Sequence, residues 1–502
     1  MTDTSDGLDR GTIAIAGVVT LGLIMSVLDT TIVNVALDKL SSDLHASLAT
    51  VQWVATGYLL SLAAVIPLSG WMTERFGSKR IWLISVALFG AGSALCGLAS
   101  SIGELIVFRV LQGLGGGMLM PVGITLLTQR AGPQRVGRVL SLAGVAILLG
   151  PVFGPIVGGL IVDNAAWNWI FFVNVPIAVV ALSLAARVLS AGSGRQAPGP
   201  LDWLGTALLC PGLAGIVFGL SETETQGGIG AVTAFGPIIA GVALTALFVV
   251  HSLRSAHPLI DLNLFRSREF SAAAATTFLL GSALFGALLL LPLYYQVDRG
   301  QSALQAGLLL APQGIGAALA LPFSGRLTDR IGGGPVVLVG CIVSTLATVP
   351  WIFVGAATPE LVLIGLLLVR GLGMGASVQP AMASAYAVLR PAQVPRATAA
   401  LNTLRQIGGS IGTALVAVLL EGRLKAVLPG GGGSAGALAP LAPDVRARLA
   451  EPIAMAFGST FVWAVAMSAL AGVSAFVLMR AERSRAAQEA HAPGAALAEQ
   501  HP

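Results

Sequence analysis

Apolar stretches long enough to cross a bilayer recur about fourteen times in this chain of 502 residues, and that recurrence constrains the fold more than any other feature. The hydrocarbon core of a membrane is about 30 Å thick and a helix rises about 1.5 Å per residue, so roughly 20 apolar residues make one span. Runs of that kind lie at 13–36, 51–72, 81–98, 105–127, 139–162 and 169–189, then at 204–220 and 231–250, and finally at 271–295, 304–324, 336–354, 361–381, 398–420 and 455–478. Charged residues supply only 10% of the chain, against about 25% in soluble domains. So few charges cannot cover a water-facing surface, and lipid is the solvent these runs require. The 63 glycines fit, because small residues let membrane helices approach closely.

The loops orient the chain. With a cytoplasmic N-terminus, 19 Lys and Arg residues fall on the inner side and 6 on the outer side, the asymmetry that the positive-inside rule requires. Both termini are then cytoplasmic. The isoelectric point near 9.5 is this topology signal, so nucleic acid is not an expected partner. Asp3, Asp6 and Asp9 precede Arg10, and no small-residue cleavage site follows the first run, which is therefore expected to remain as a membrane helix. Cys96, Cys210 and Cys341 are far apart within apolar runs and read as packing residues; neither disulfide nor metal site is expected. No Gly-Lys phosphate loop occurs, which argues against an ATP-driven pump, and no catalytic residues stand out.

One segment repeats. Gly70-Trp71-Met72-Thr73-Glu74-Arg75-Phe76-Gly77 returns as Gly325-Arg326-Leu327-Thr328-Asp329-Arg330-Ile331-Gly332, each copy between the second and third spans of its half. The expected architecture is an all-α membrane protein of two six-helix bundles with two inserted spans. The bundles are 1–190 and 258–480, and the linker with the inserted pair is 191–257. An outer loop covers 421–454, including the glycines at 430–433, and a disordered cytoplasmic tail covers 481–502. Parallel halves place a substrate site between them near mid-membrane.

The segment Gly70 to Arg80 resembles the signature of the major facilitator superfamily, and within it the fourteen-span drug/proton antiporter family. Five further stretches carry the likeness: Leu28-Asp29-Thr30-Thr31-Ile32-Val33-Asn34-Val35-Ala36-Leu37, Arg109-Val110-Leu111-Gln112-Gly113, Gly150-Pro151-Val152-Phe153-Gly154-Pro155-Ile156-Val157-Gly158-Gly159, Trp167-Asn168-Trp169-Ile170-Phe171-Phe172-Val173-Asn174-Val175-Pro176, which is also an interfacial aromatic anchor, and Asn402-Thr403-Leu404-Arg405-Gln406. The sequence departs from the family pattern where Glu74 replaces an Asp and where Asp38 replaces a Pro. The resemblance implies the major facilitator fold. It also implies export by alternating access across the bacterial cytoplasmic membrane, driven by the proton gradient without a cofactor, in a chain expected to be a monomer.

Residue chemistry adds detail. Asp29 is the one acid deep inside a predicted span, and intramembrane carboxylates are expensive and usually functional. Its expected partner is Arg109, since both lie about 8–10 Å below the outer surface at 1.5 Å per residue; together they are the candidates for proton coupling, with a structural ion pair as the alternative. Gly70, Glu74, Arg75, Gly77, Lys79 and Arg80, with Asp329 and Arg330 in the second copy, form the candidate cytoplasmic gate. Gly70 and Gly77 would allow close approach, Glu74 would bond a helix N-terminus or a base of the other bundle, and the bases would face the cytoplasm. Gly150, Gly154 and Gly158 repeat every four residues and, with Gly159 and the kinking Pro151 and Pro155, form a smooth helix face; its antiport role is carried by the resemblance.

Met25, Asn34, Gln112, Phe153, Tyr294, Gln313, Arg370, Gln379 and Asn402 are the candidate substrate-lining residues. Arg405 reads as a base that snorkels. With one deep carboxylate, the expected substrates are lipophilic neutral, zwitterionic or monocationic small molecules, that is, drugs or antibiotics. A membrane lipid or lipid-linked metabolite is the alternative.

Overall fold

The computed structural model describes residues 9–190, 199–226, 232–355, 357–427 and 443–498. Among these residues the secondary structure is helical throughout. Twelve helical stretches are long and apolar enough to cross a membrane, and a bent pair makes a thirteenth. The remaining run, 139–162, is carried by the 29-residue helix Val136–Asn164.

The first half contains α1 (Arg10–Val35), a short α2 (Leu37–Asp43), α3 (Leu48–Val65) and α4 (Leu68–Phe76). Then come α5 (Ser78–Leu98), α6 (Ile102–Ala131), α7 (Val136–Asn164), α8 (Trp169–Phe172) and α9 (Asn174–Val188). The second predicted span is the pair α3 and α4, bent by 57°. Pro67 sits at the break, where it lacks a backbone donor and its ring crowds the preceding turn. The inserted pair is α10 (Trp203–Gln226) and α11 (Val232–Ser252).

The second half contains α12 (Arg268–Leu293), α13 (Ala303–Ile331), α14 (Gly333–Thr348), α15 (Glu360–Gly375), α16 (Val378–Ala387), α17 (Val394–Val427) and α18 (Pro443–Ala498). Two boundaries differ from expectation. The outer loop is shorter than 421–454, because α17 continues through Val427 and α18 begins at Pro443; the glycines at 430–433 lie outside the described residues. The tail 481–502 is helical as far as Ala498, because its Ala-rich sequence prolongs α18.

Glycines set how closely the helices pack, and they do so alike in both halves. Gly113 and Gly117 place α6 on α3, while Gly115 sits 2.6 Å, measured from an added Cβ, from the Phe89 nitrogen of α5. Gly371 and Gly375 likewise place α15 on α13, while Gly373 faces Ser344 of α14. Gly150 and Gly154 of α7 meet Val27 and Thr31 of α1; Gly408 and Gly412 of α17 meet Phe278 and Ser282 of α12. These pairs define the repeat more fully than the single loop visible in the sequence. The halves touch through α7 with α13 and through α17 with α4 and α6. The inserted α10 packs against both α3 and α17. There Trp53 and Phe218 stack at 5.5 Å and the Thr56 and Ser221 hydroxyls lie 3.4 Å apart.

Candidate functional site

Asp29 lies on the face of α1 turned toward α6 and is 0% exposed. Arg109 and Gln112 stand one turn apart on α6, so both side chains reach it. Arg109 Nη1 donates to Asp29 Oδ2 at 2.6 Å, Gln112 Nε2 to Oδ1 at 2.8 Å, and Asn174 Nδ2 to Oδ1 at 3.0 Å. The remaining Arg109 contacts are also internal: Nε donates to the Val54 carbonyl at 3.0 Å, Nη1 to Gln112 Oε1 at 2.8 Å, and the guanidinium lies 4.1 Å from the Tyr58 ring centroid. Asn174 opens α9 and is steadied by donation to Ser93 Oγ at 3.1 Å. The network is thus drawn from α1, α3, α5, α6 and α9, all in the first half.

This arrangement suits a proton better than a bulky ligand, because no surface of the carboxylate is open. A proton on Asp29 would remove the negative charge holding Arg109, while Gln112 and Asn174 could still donate to the neutral acid. Gln112, expected on the substrate wall, belongs to this network instead. Asn174 stands in the aromatic segment 167–176, where nothing in the sequence marks it as a partner of Asp29.

On the arginine-rich side, both copies of the repeated segment reach across to the opposite half. Arg396 at the start of α17 donates through Nε to both Glu74 oxygens at 3.0 and 3.1 Å, and through Nη2 at 3.0 Å. Asp329 of α13 accepts from the backbone N–H of Gly137 at 2.8 Å and of Arg138 at 3.3 Å, at the start of α7. Arg138 Nε stands 3.3 Å from Asp329 Oδ2. Gly70 is where α4 meets α17, with an added Cβ 3.1 Å from the Pro395 carbonyl, and Gly325 meets Gly137 and Ser141 of α7 in the same way.

Arg138 and Arg396 were counted only as topology charges. A second repeat would have singled them out: Pro133-Gln134-Arg135-Val136-Gly137-Arg138 matches Pro391-Ala392-Gln393-Val394-Pro395-Arg396. The differences between copies compensate. Gly137 offers a backbone donor to the short Asp329; Pro395 has none, and the longer Glu74 takes a guanidinium instead.

Some gate residues do other work. Gly77 makes no close approach; its φ of 86°, matched at Gly332, turns the chain between α4 and α5. Lys79 does not face solvent alone but donates to the carbonyls of Ala186, at 3.1 Å, and Leu189, closing the C-terminal end of α9. Arg75, Arg80 and Arg330 are exposed.

On α7, Gly150, Gly154 and Gly158 all face α1, against Val27, Thr31 and Ile32, on either side of the level of Asp29. Pro155 lies against Gly307 of α13, so α7 joins the Asp29 region to the second half. Gly159 points toward Leu304 at 3.9 Å; the side chain of Pro151 lies outside the described residues.

The expected substrate wall divides. A narrow, mainly apolar cavity between the halves is lined by Ile147, Leu148, Leu284, Ala287, Leu288, Leu291, Leu310 and Gln313. Gln313 accepts from Arg370 Nη1. Met25 is instead 0% exposed in the core of the first half, and Tyr294 is buried in an aromatic cluster with Tyr295, Trp351 and Phe457. Asn34 and Phe153 are exposed. Gln379 is buried against Gly144, and Asn402 donates to the Thr398 carbonyl. Asp298, assigned from sequence to a loop, is buried, because a π-helical turn over Tyr294–Asp298 folds it back beneath Arg299 at 3.6 Å.

Comparison with known proteins agrees with this geometry. Residues 19–413 match the profile of the Major Facilitator Superfamily. The multidrug resistance protein B homolog of Mycobacterium tuberculosis is 40% identical over 484 residues, covering 92% of this chain and 89% of that protein. The tetracenomycin C resistance and export protein of Streptomyces glaucescens is 32% identical, covering 82% of this chain and 76% of that one. The solved structure of the proton:xylose symporter XylE bound to 6-bromo-6-deoxy-D-glucose superposes with a TM-score of 0.60 at 16% identity, covering 91% of this chain and 94% of that one. The protein is a multi-pass membrane transporter of all-α architecture. It belongs to the Major Facilitator Superfamily, among relatives of the multidrug efflux type.

Proposed function

We propose that this chain exports lipophilic small molecules in exchange for protons, by alternating access, across the bacterial cytoplasmic membrane with both termini inside. The observation that carries the reading is the fully buried Asp29, held by Arg109 and two amides. A proton arriving from outside neutralises Asp29 and loosens Arg109. That change passes through the glycine face of α7 to the α7–α13 contact, substrate leaves outward, and loss of the proton to the cytoplasm resets the pair. The latches at Glu74 and Asp329 hold the inner side shut in one state and break in the other. The relatives named for multidrug resistance and for tetracenomycin C resistance and export support a drug substrate. Monocations lose their place among the expected substrates, because the charge of Asp29 is already matched by Arg109.

The test is proton release from everted vesicles on addition of a panel of lipophilic drugs. Release by the wild type and none by Asp29→Asn is the expected result. Drug efflux that persists in the variant with unchanged proton flux would overturn the coupling; scrambling of labelled phospholipid without drug-dependent flux would move the assignment to a lipid substrate.

A further inference from the structure

Two more cations lie well inside their membrane helices, and among the described residues neither forms an ion pair. Arg370 is 4% exposed and donates only to Gln313 Oε1; Arg405 contacts Met120 Sδ of α6, across the interface between the halves. They lie on α15 and α17, which run in from opposite faces, each about 15 Å from its helix start. The internal repeat explains the missing partner. Aligning Gly113, Gly115 and Gly117 with Gly371, Gly373 and Gly375 puts Gln112 at the place of Arg370. Aligning Val27 and Thr31 with Phe278 and Ser282 puts Asp29 at the place of Leu280. The second half therefore has the base without the acid.

A guanidinium held in the membrane without an anion is expensive and is kept where function uses it. Gln313, the partner of Arg370, also lines the apolar cavity between the halves, with Leu148, Leu284, Leu288 and Leu291. Leu284 is one turn from Gly281, where α12 meets Arg405. Resting on the export reading above, we propose that Arg370 and Arg405 receive the anionic end of an amphiphilic substrate, a carboxylate, sulfonate or phosphate, while its apolar body parts the leucine-lined contact between the halves, where the present state leaves a cavity of only about 20 Å³. Arginine suits such a group because it can bind two oxygens at once.

The experiment measures equilibrium binding of three amphiphiles sharing a twelve-carbon chain, namely dodecanoate, dodecanamide and dodecyltrimethylammonium, to the full-length protein in phosphatidylcholine nanodiscs at neutral pH. Dodecanoate is expected to bind about tenfold tighter than the amide, a difference of about 1.4 kcal/mol, and the ammonium most weakly. Arg370→Gln and Arg405→Gln should each erase that preference while leaving dodecanamide binding within about twofold of wild type; Arg370→Lys should retain part of it. Equal or reversed ranking in the wild type, or a ranking unchanged by both glutamine substitutions, would overturn the proposal. Dodecanamide binding near the wild-type value shows that a variant is folded, and an equal or reversed wild-type ranking overturns the proposal without any variant. Repeating the titration with phosphatidylglycerol in the disc separates the sources: competition assigns the site to a lipid headgroup, and none to a free anion. In either case the anion preference stands. Failure of drug-dependent proton release would remove the export reading and leave this ranking untouched.

Discussion

At the scale of single residues, the buried network around Asp29 sets the terms. Each donor to the carboxylate is buried, so removing one leaves a polar atom without a partner. Asn174→Ala should lower the unfolding free energy by about 1–3 kcal/mol, read as a drop in the thermal midpoint of the detergent-solubilised protein. The control Asn168→Ala, which removes only a partly buried bond to the Gly97 carbonyl, should lower it less. The pairing of Asp29 with Arg109 was legible in the sequence, because counting residues from the ends of two apolar runs placed them at one depth. Asn174 was not, since nothing local in its aromatic stretch points at α1. Asp298 escaped because its run was drawn to end at Tyr295, and only the π-helical turn brings it under cover.

Between elements, the two latches solve one problem with different parts. Asp329 uses the exposed N–H groups at the start of α7, whereas Pro395 denies α17 that option and Glu74 reaches a guanidinium instead. Glu74→Asp alone should weaken the α4–α17 contact, because the shorter side chain falls back from Arg396. Pro395→Gly alone should change it little. Together they rebuild the Asp329 arrangement, so a double-mutant cycle on transport rate should give a favourable coupling of about 1 kcal/mol; an additive outcome would mean the backbone donor is not used. The gate loop was legible from its repetition, and so was the prospect that Glu74 meets a base of the other bundle. Which base was not, because Arg396 looked like any other positive-inside charge until the second repeat was aligned with the structure.

For the whole molecule, the latches and the Asp29 network lie toward opposite sides of the membrane, linked through α7 and its neighbours. Breaking both latches with Glu74→Gln and Asp329→Asn should favour the state open on the arginine-rich side. Losing about 1.4 kcal/mol multiplies the open population about tenfold. A cysteine introduced at Ser141, buried beside Gly325, should then react with a soluble maleimide faster by a similar factor. Unchanged labelling would show that the contacts anchor the chain without gating it. The number and order of the membrane helices could be read from the apolar runs alone. How tightly the halves meet could not, because that depends on which side of each helix its glycines face.

The inserted pair packs at one of the joints between the halves. Around the girdle of the molecule, the two joints between the halves are made differently. At α7 and α13 the helices of the two halves close on each other directly. On the other flank α10 stands between α3 and α17, leaning on Trp53 and Thr56 to one side and on α17 to the other. Toward the arginine-rich side α17 also closes directly on α6 and, through the pair of Arg396 with Glu74, on α4, so the intermediate post matters toward the other side. A solute already dissolved among the lipid tails is therefore expected to part the flank bearing α10 more readily than the flank bearing α13.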